Sequence, residues 1–101
     1  MILKVLTVDR KGWCLYDHLA NLVIREESVK AGNAGQAADL ILTNADSKYV
    51  HLTDDDLHSD GYFPLREVCA EQGSQCIQVV FNTQAYLMTD DGKTIETLRA
   101  V

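Results

Sequence analysis

The sequence predicts an α+β fold: a mainly antiparallel β-sheet of six to seven strands, curved or partly rolled into a barrel, with one short helix near residues 64–72. Three observations carry that expectation. Residues 76–82 alternate, with Ile77, Val79 and Phe81 on one face, as a half-buried strand requires. Residues 85–89 and 94–98 are β-favouring and flank Asp90-Asp91-Gly92-Lys93, where the glycine supplies the left-handed residue of a tight connection. Pro64 suits the first position of a helix, Leu65, Val68 and Cys69 fall on one helical face, and Gly73 ends it.

The remaining elements follow in chain order. Residues 2–8 are branched and apolar enough for a strand, and Asp9-Arg10-Lys11-Gly12 turns the chain so that residues 13–16 run back beside it. Leu19, Leu22 and Val23 have helical spacing behind an Asp17 cap, but Leu22-Val23-Ile24-Arg25 is strand-like, so a turn and then a strand over residues 22–28 are expected. Residues 31–37 hold two glycines and little to bury, which predicts a mobile loop. Residues 40–43 and 48–53 read as the two strands of a hairpin around Asn44-Ala45-Asp46. Short turns between consecutive strands favour antiparallel pairing throughout.

A chain of 101 residues, 47% hydrophobic and 24% charged, is expected to form a single domain over residues 1–101. That length buries roughly two-thirds of the surface its unfolded chain exposes. The composition argues against disorder, a collagen-like repeat and a disulfide scaffold. The N-terminal segment lacks the basic start, long apolar core and cleavage site of a signal peptide, and no apolar run is long enough to span a bilayer. A soluble, cytoplasmic protein with no membrane partner is the expectation. Cys14, Cys69 and Cys76 are odd in number and form no CxxC pair, so buried thiols are expected rather than a zinc site; a Cys69 to Cys76 bridge across a turn at Gly73 is the alternative.

The formal charge of -6 is uneven: residues 1–50 carry six Lys/Arg against six Asp/Glu, whereas residues 51–101 carry three against nine. An acidic surface repels phosphates, which argues against direct nucleic-acid binding and favours a cation or a basic protein partner.

Residues 56–67 resemble an EF-hand calcium loop. Asp56 stands at the first ligand position, Asp60 at the fifth, Gly61 at the sixth, Tyr62 at the seventh through its carbonyl, and Glu67 at the twelfth. His58 departs from the pattern at the third position, where a hard cation wants oxygen, and residues 44–55 do not make an entering helix. His51 and His58 among Asp54, Asp55, Asp56 and Asp60 suit a transition metal better than calcium, but without helical His spacing. Asp17-His18 beside Cys14 or Cys69 is too thin a basis for a catalytic triad. Trp13, Tyr16, Tyr49, Tyr62 and Tyr86 either line a ligand pocket or form core and cross-strand pairs, the second being the ordinary use of aromatics in a small β-protein.

The functional expectation is therefore a small, non-enzymatic binding protein without a cofactor, acting as a homo-oligomer or engaging a basic partner. A calcium-binding domain using Asp56, His58, Asp60, Tyr62 and Glu67 is one alternative, and a small-molecule binder or enzyme with a pocket between sheet and helix is another.

Overall fold

The computed structural model describes residues 1–43 and 47–99. In chain order its elements are β1 (Ile2–Leu6), β2 (Trp13–Tyr16), β3 (Ala20–Lys30), α1 (Ala34–Leu42), β4 (Lys48–His51), a 3-10 turn at Asp54–Asp56, β5 (Tyr62–Gln72), β6 (Gln75–Phe81), β7 (Gln84–Met88) and β8 (Thr94–Arg99). The strands form two four-stranded sheets, one ordered β2-β1-β7-β8 and the other β3-β5-β6-β4. All pairs are antiparallel except β4, which lies parallel to β6 at the edge of the second sheet.

Three layers result. Leu3 and Val5 of β1, Ala85 of β7 and Leu98 of β8 meet Val68, Ala70, Ile77, Val79 and Phe81 between the two sheets. On the opposite face of the second sheet, Phe63, Leu65 and Val80 pack under Ala37 and Ile41 of α1. Because β5 and β6 are covered on both sides, they bury residues of both parities, and a simple alternation is lost in β5.

That double burial overturns the expected helix at residues 64–72, which is the central strand β5. Leu65 faces the helix layer while Val68 and Ala70 face the first sheet, so the apparent helical stripe is two strand faces read as one. Pro64 is tolerated because pairing with β6 begins only at Arg66, leaving a neighbour on one side alone. Gly73 does adopt a positive φ, 62°, but in the tight hairpin between β5 and β6 rather than at a helix end.

The helix lies instead at Ala34–Leu42, replacing both the expected loop at residues 31–37 and the expected strand at residues 40–43. Asn33 caps it, its side chain accepting the Gln36 N–H at 2.9 Å, and the Asp54 carboxylate accepts the Ala34 N–H at 2.7 Å. Ala37 and Ile41, one turn apart, provide its buried stripe. Consequently no hairpin joins residues 40–43 to 48–53; β4 pairs with β6, and the expected turn at residues 44–46 lies outside the described residues. Among the described residues the strands number eight rather than six or seven. Neither sheet closes into a barrel, so β2, β8, β3 and β4 are edges. The β1–β2 and β7–β8 pairs, the strand at residues 76–82 and the strand over residues 22–28, here lengthened to β3, agree with the sequence reading.

Candidate functional site

The outer face of the first sheet has no covering layer among the described residues. Alternation that sends Leu3, Val5, Ala85 and Leu98 inward sends Ile2, Leu6, Trp13, Leu15, Tyr86 and Met88 outward. Leu15 is 63% exposed and Trp13 40%. Trp13 and Tyr86 pack at 5.5 Å between ring centroids, and the Lys4 ammonium rests 4.9 Å from the centre of the indole. An antiparallel sheet with one solvated face ordinarily turns polar residues to water; this one turns a tryptophan, a tyrosine, a methionine and three aliphatic residues. No acidic side chain stands at the outward positions of β1, β2 and β7, where Lys4 is the charged residue.

The residues of the calcium-like loop do not converge. Asp56 closes the 3-10 turn: its carboxylate accepts the backbone N–H of Thr53 at 3.0 Å and the Thr53 hydroxyl at 2.9 Å, and it forms an ion pair with Arg10. His58 and Asp60 shape a tight turn in which the Tyr62 carbonyl accepts the His58 N–H at 2.9 Å and the Asp60 carboxylate accepts the Tyr62 N–H at 3.1 Å. Gly61, at φ 85°, makes that turn possible. Glu67 stands within β5 rather than at the start of an exiting helix, so the twelfth ligand of the motif points to a different partner. Among the described residues no three His, Cys, Asp or Glu side chains are grouped to hold one metal ion.

The partner of Glu67 is Lys48. Glu67 is 3% exposed, its Oε2 lies 3.1 Å from Lys48 Nζ, and its Oε1 accepts from Gln78 Nε2 and Cys69 Sγ, each at 3.2 Å. Burial raises the Glu67 pKa, but hydrogen bonds from Cys69 and Lys48, with the charges of Lys48 and Arg25, outweigh it and hold the carboxyl below its ordinary value. Burial also pushes the Cys69 thiol up, which keeps it protonated as a donor. Both oxygens of this buried carboxylate are engaged by protein donors, which marks it as a structural ion pair on the second sheet.

The aromatic residues fall into pairs rather than around one pocket. Trp13 and Tyr86 share the outer face, while Tyr16 packs at a tilt against Tyr49 and edge-on against His51, at 5.4 and 5.9 Å between centroids. Tyr62 lies apart beneath Lys30. The three cysteines are free thiols, Cys14 and Cys69 half-buried and Cys76 exposed. Asp17 and His18 sit side by side on the surface, His18 at a positive φ of 55°.

Polar groups without partners gather at the end of the molecule that holds the β1–β2 loop, the 3-10 turn and the β6–β7 corner. His51 is 6% exposed and its Nε2 lies 2.7 Å from the Tyr16 hydroxyl. Burial pushes Tyr16 up to about 12 and His51 down, which favours the neutral form of both rings in this hydrogen bond, and His51 Nδ1 has no protein partner. Asn82, 8% exposed, lacks partners at both Nδ2 and Oδ1, and Thr83 lacks one at Oγ1. Each such group costs about 1–3 kcal/mol when left dry. Sequence reasoning passed over Asn82 and Thr83, whose only signal is two polar residues between a strand that buries Phe81 and one that buries Ala85. The chain matches no known family model, no curated protein and no solved structure at a significant level.

Proposed function

We propose that the protein is a non-enzymatic binding protein that acts as a homo-oligomer, associating through the outer face of the first sheet. The carrying observation is that face itself: exposed Trp13 and Leu15 with Ile2, Leu6, Tyr86 and Met88, uncovered by any layer among the described residues. Contiguous apolar surface of this kind marks an interaction site, and Trp, Tyr and Met are the side chains enriched in protein interfaces. A second copy is the occupant favoured by charge. Two chains of formal charge -6 repel at most approaches, and they meet with least cost where the acids are missing and the Lys4 charge already rests on Trp13.

Light scattering on the purified chain at micromolar concentration tests this reading. The expected mass is a multiple of the 11.2 kDa chain, falling toward one chain in a Leu15→Glu variant that still melts cooperatively. A single-chain mass up to 100 μM overturns it. The acid-rich second half supports a second reading, a basic protein partner; binding of a basic peptide that weakens steeply between 50 and 300 mM salt is its signature.

A further inference from the structure

Leu65 and Val80 face the helix layer, so by alternation Glu67 and Cys69 of β5, Gln78 of β6 and Lys48 of β4 stand on that same side of the second sheet. Register makes Gln78 the direct cross-strand neighbour of Cys69 on one side and of Lys48 on the other. We propose that Cys69 and Gln78 join in an internal thioester, the thiol displacing ammonia from the side-chain amide while Glu67 carries the proton, and that this bond acylates primary amines. The site belongs to the second sheet and is independent of association through the outer face of the first.

Three observations support it. First, the reacting groups touch: Gln78 Nε2 donates to Cys69 Sγ at 3.3 Å, and the amide carbon is bonded to that nitrogen. The backbone explains the approach. The Ala31 N–H donates to the Gly61 carbonyl at 3.0 Å, which sets the alternation of the β3–β5 ladder so that Cys69 bonds to β3. Cys69 and Gln78 are therefore opposed without mutual backbone bonds, the arrangement in which facing side chains stand closest. Held in contact, thiol and amide react as one molecule rather than by encounter.

Second, one carboxylate oxygen serves both groups. Glu67 Oε1 accepts from Cys69 Sγ and from Gln78 Nε2, each at 3.2 Å. Burial keeps the thiol protonated at rest, and the ionised Glu67 stands beside the proton that has to leave. That proton passes to Oε1 as the Sγ–Cδ bond forms, and Oε1 returns it to Nε2 as the Cδ–Nε2 bond breaks and ammonia departs. No oxidant or reductant is consumed. An amine that then attacks Cδ leaves a substituted amide at Gln78, and its proton restores the Cys69 thiol.

Third, the surroundings suit the charge that develops and admit the reactant. Lys48 Nζ lies 3.1 Å from the other oxygen of Glu67, so a buried ammonium stands beside an amide whose oxygen turns anionic in the tetrahedral intermediate. Cys69 and Gln78 are themselves half-buried rather than sealed, which leaves the pair open to a small amine from solvent.

The test is intact-mass and tandem mass spectrometry of the full chain, purified without added thiol, before and after incubation with methylamine. The expected result is a species lighter by one ammonia, with the loss mapped to Cys69 and Gln78. Methylamine should convert it to a methylamide at Gln78 and free Cys69 for alkylation by iodoacetamide, while water in place of amine should leave deamidation at Gln78. Cys69→Ala keeps the Glu67–Lys48 pair, should melt cooperatively, and should show none of these changes; Glu67→Gln should abolish them as well. A Leu15→Glu variant should retain them, which separates failure of this site from failure of the oligomer reading. A parent of full mass that takes up no methylamine and keeps Gln78 intact, or modification of Gln78 that persists in Cys69→Ala or Glu67→Gln, overturns the proposal.

Discussion

Glu67 shows how one side chain changes meaning with its surroundings. In the sequence it completes an acidic spacing, whereas in the fold it is a buried anion whose oxygens are shared among Lys48, Cys69 and Gln78. Lys48→Met leaves that carboxylate buried without its cation and should destabilise the fold by about 3 kcal/mol, read as a drop in denaturation midpoint at constant m. The double variant Lys48→Met/Glu67→Gln should recover much of the loss, because no uncompensated charge remains. Since the folded pKa of Glu67 lies below its unfolded value of 4.5, its contribution is present above that pH and lost as pH falls through the folded value. His51 acts in a higher window. Its folded pKa is depressed below 6.5 by burial, so stability should decline as pH falls below about 6.5, where the unfolded imidazole takes up a proton first. Thermal melts from pH 8 to 5 should show that decline, and His51→Phe should flatten it; an identical slope in the variant would place the titrating group elsewhere.

Helix α1 and the β7–β8 turn differ in how openly the sequence declares them. The turn is legible because Asp90-Asp91-Gly92 sits between two β-favouring runs, and Gly92 indeed adopts φ 90° with the Thr89 N–H donating to the Lys93 carbonyl at 2.8 Å. A Cβ at Gly92 would meet nothing within 4 Å, so Gly92→Val isolates the backbone term and should cost about 1 to 2 kcal/mol in a denaturant melt. The helix was hidden for the opposite reason. Ala34, Ala37 and Ala38 favour helix but carry little apolar weight, and Gly32 and Gly35 look like loop, so the decisive feature was the Asn33 cap. Asn33→Ala should lower stability by about 1 kcal/mol and reduce protection of the Gln36 amide from hydrogen exchange. Strand β5 resembles a helix in the sequence because a strand buried on both faces lacks a period of two, and Pro64 and Gly73 bracket it as they would a helix. The uncovered face and the Asn82 corner depended on pairings no local pattern reveals: Trp13 and Tyr86 lie 73 positions apart and come together only because β1 sits between β2 and β7.

At the scale of the whole molecule, the fold spends its one described helix on the second sheet and leaves the first sheet open. The exposed side of that sheet is an apolar face centred on Trp13. Association through the face should be governed by a few large side chains, so Leu15→Glu should raise the dissociation constant by roughly thirtyfold or more, measured by sedimentation across a concentration series.

The placement of β1 also bears on the order in which the protein is made. Its two neighbours are β2, a few residues downstream, and β7, which begins at Gln84. On a ribosome β1 therefore emerges long before its partner β7, and until residues 84–88 leave the exit tunnel the β1–β2 hairpin shows bare backbone along one side and apolar side chains on both faces. Meanwhile β3, β5 and β6 can pair among themselves. Translation thus delivers a half-built sheet beside a finished one, and the nascent chain is most exposed to chaperones, and to neighbouring copies of itself on the same message, in the interval before β7 arrives.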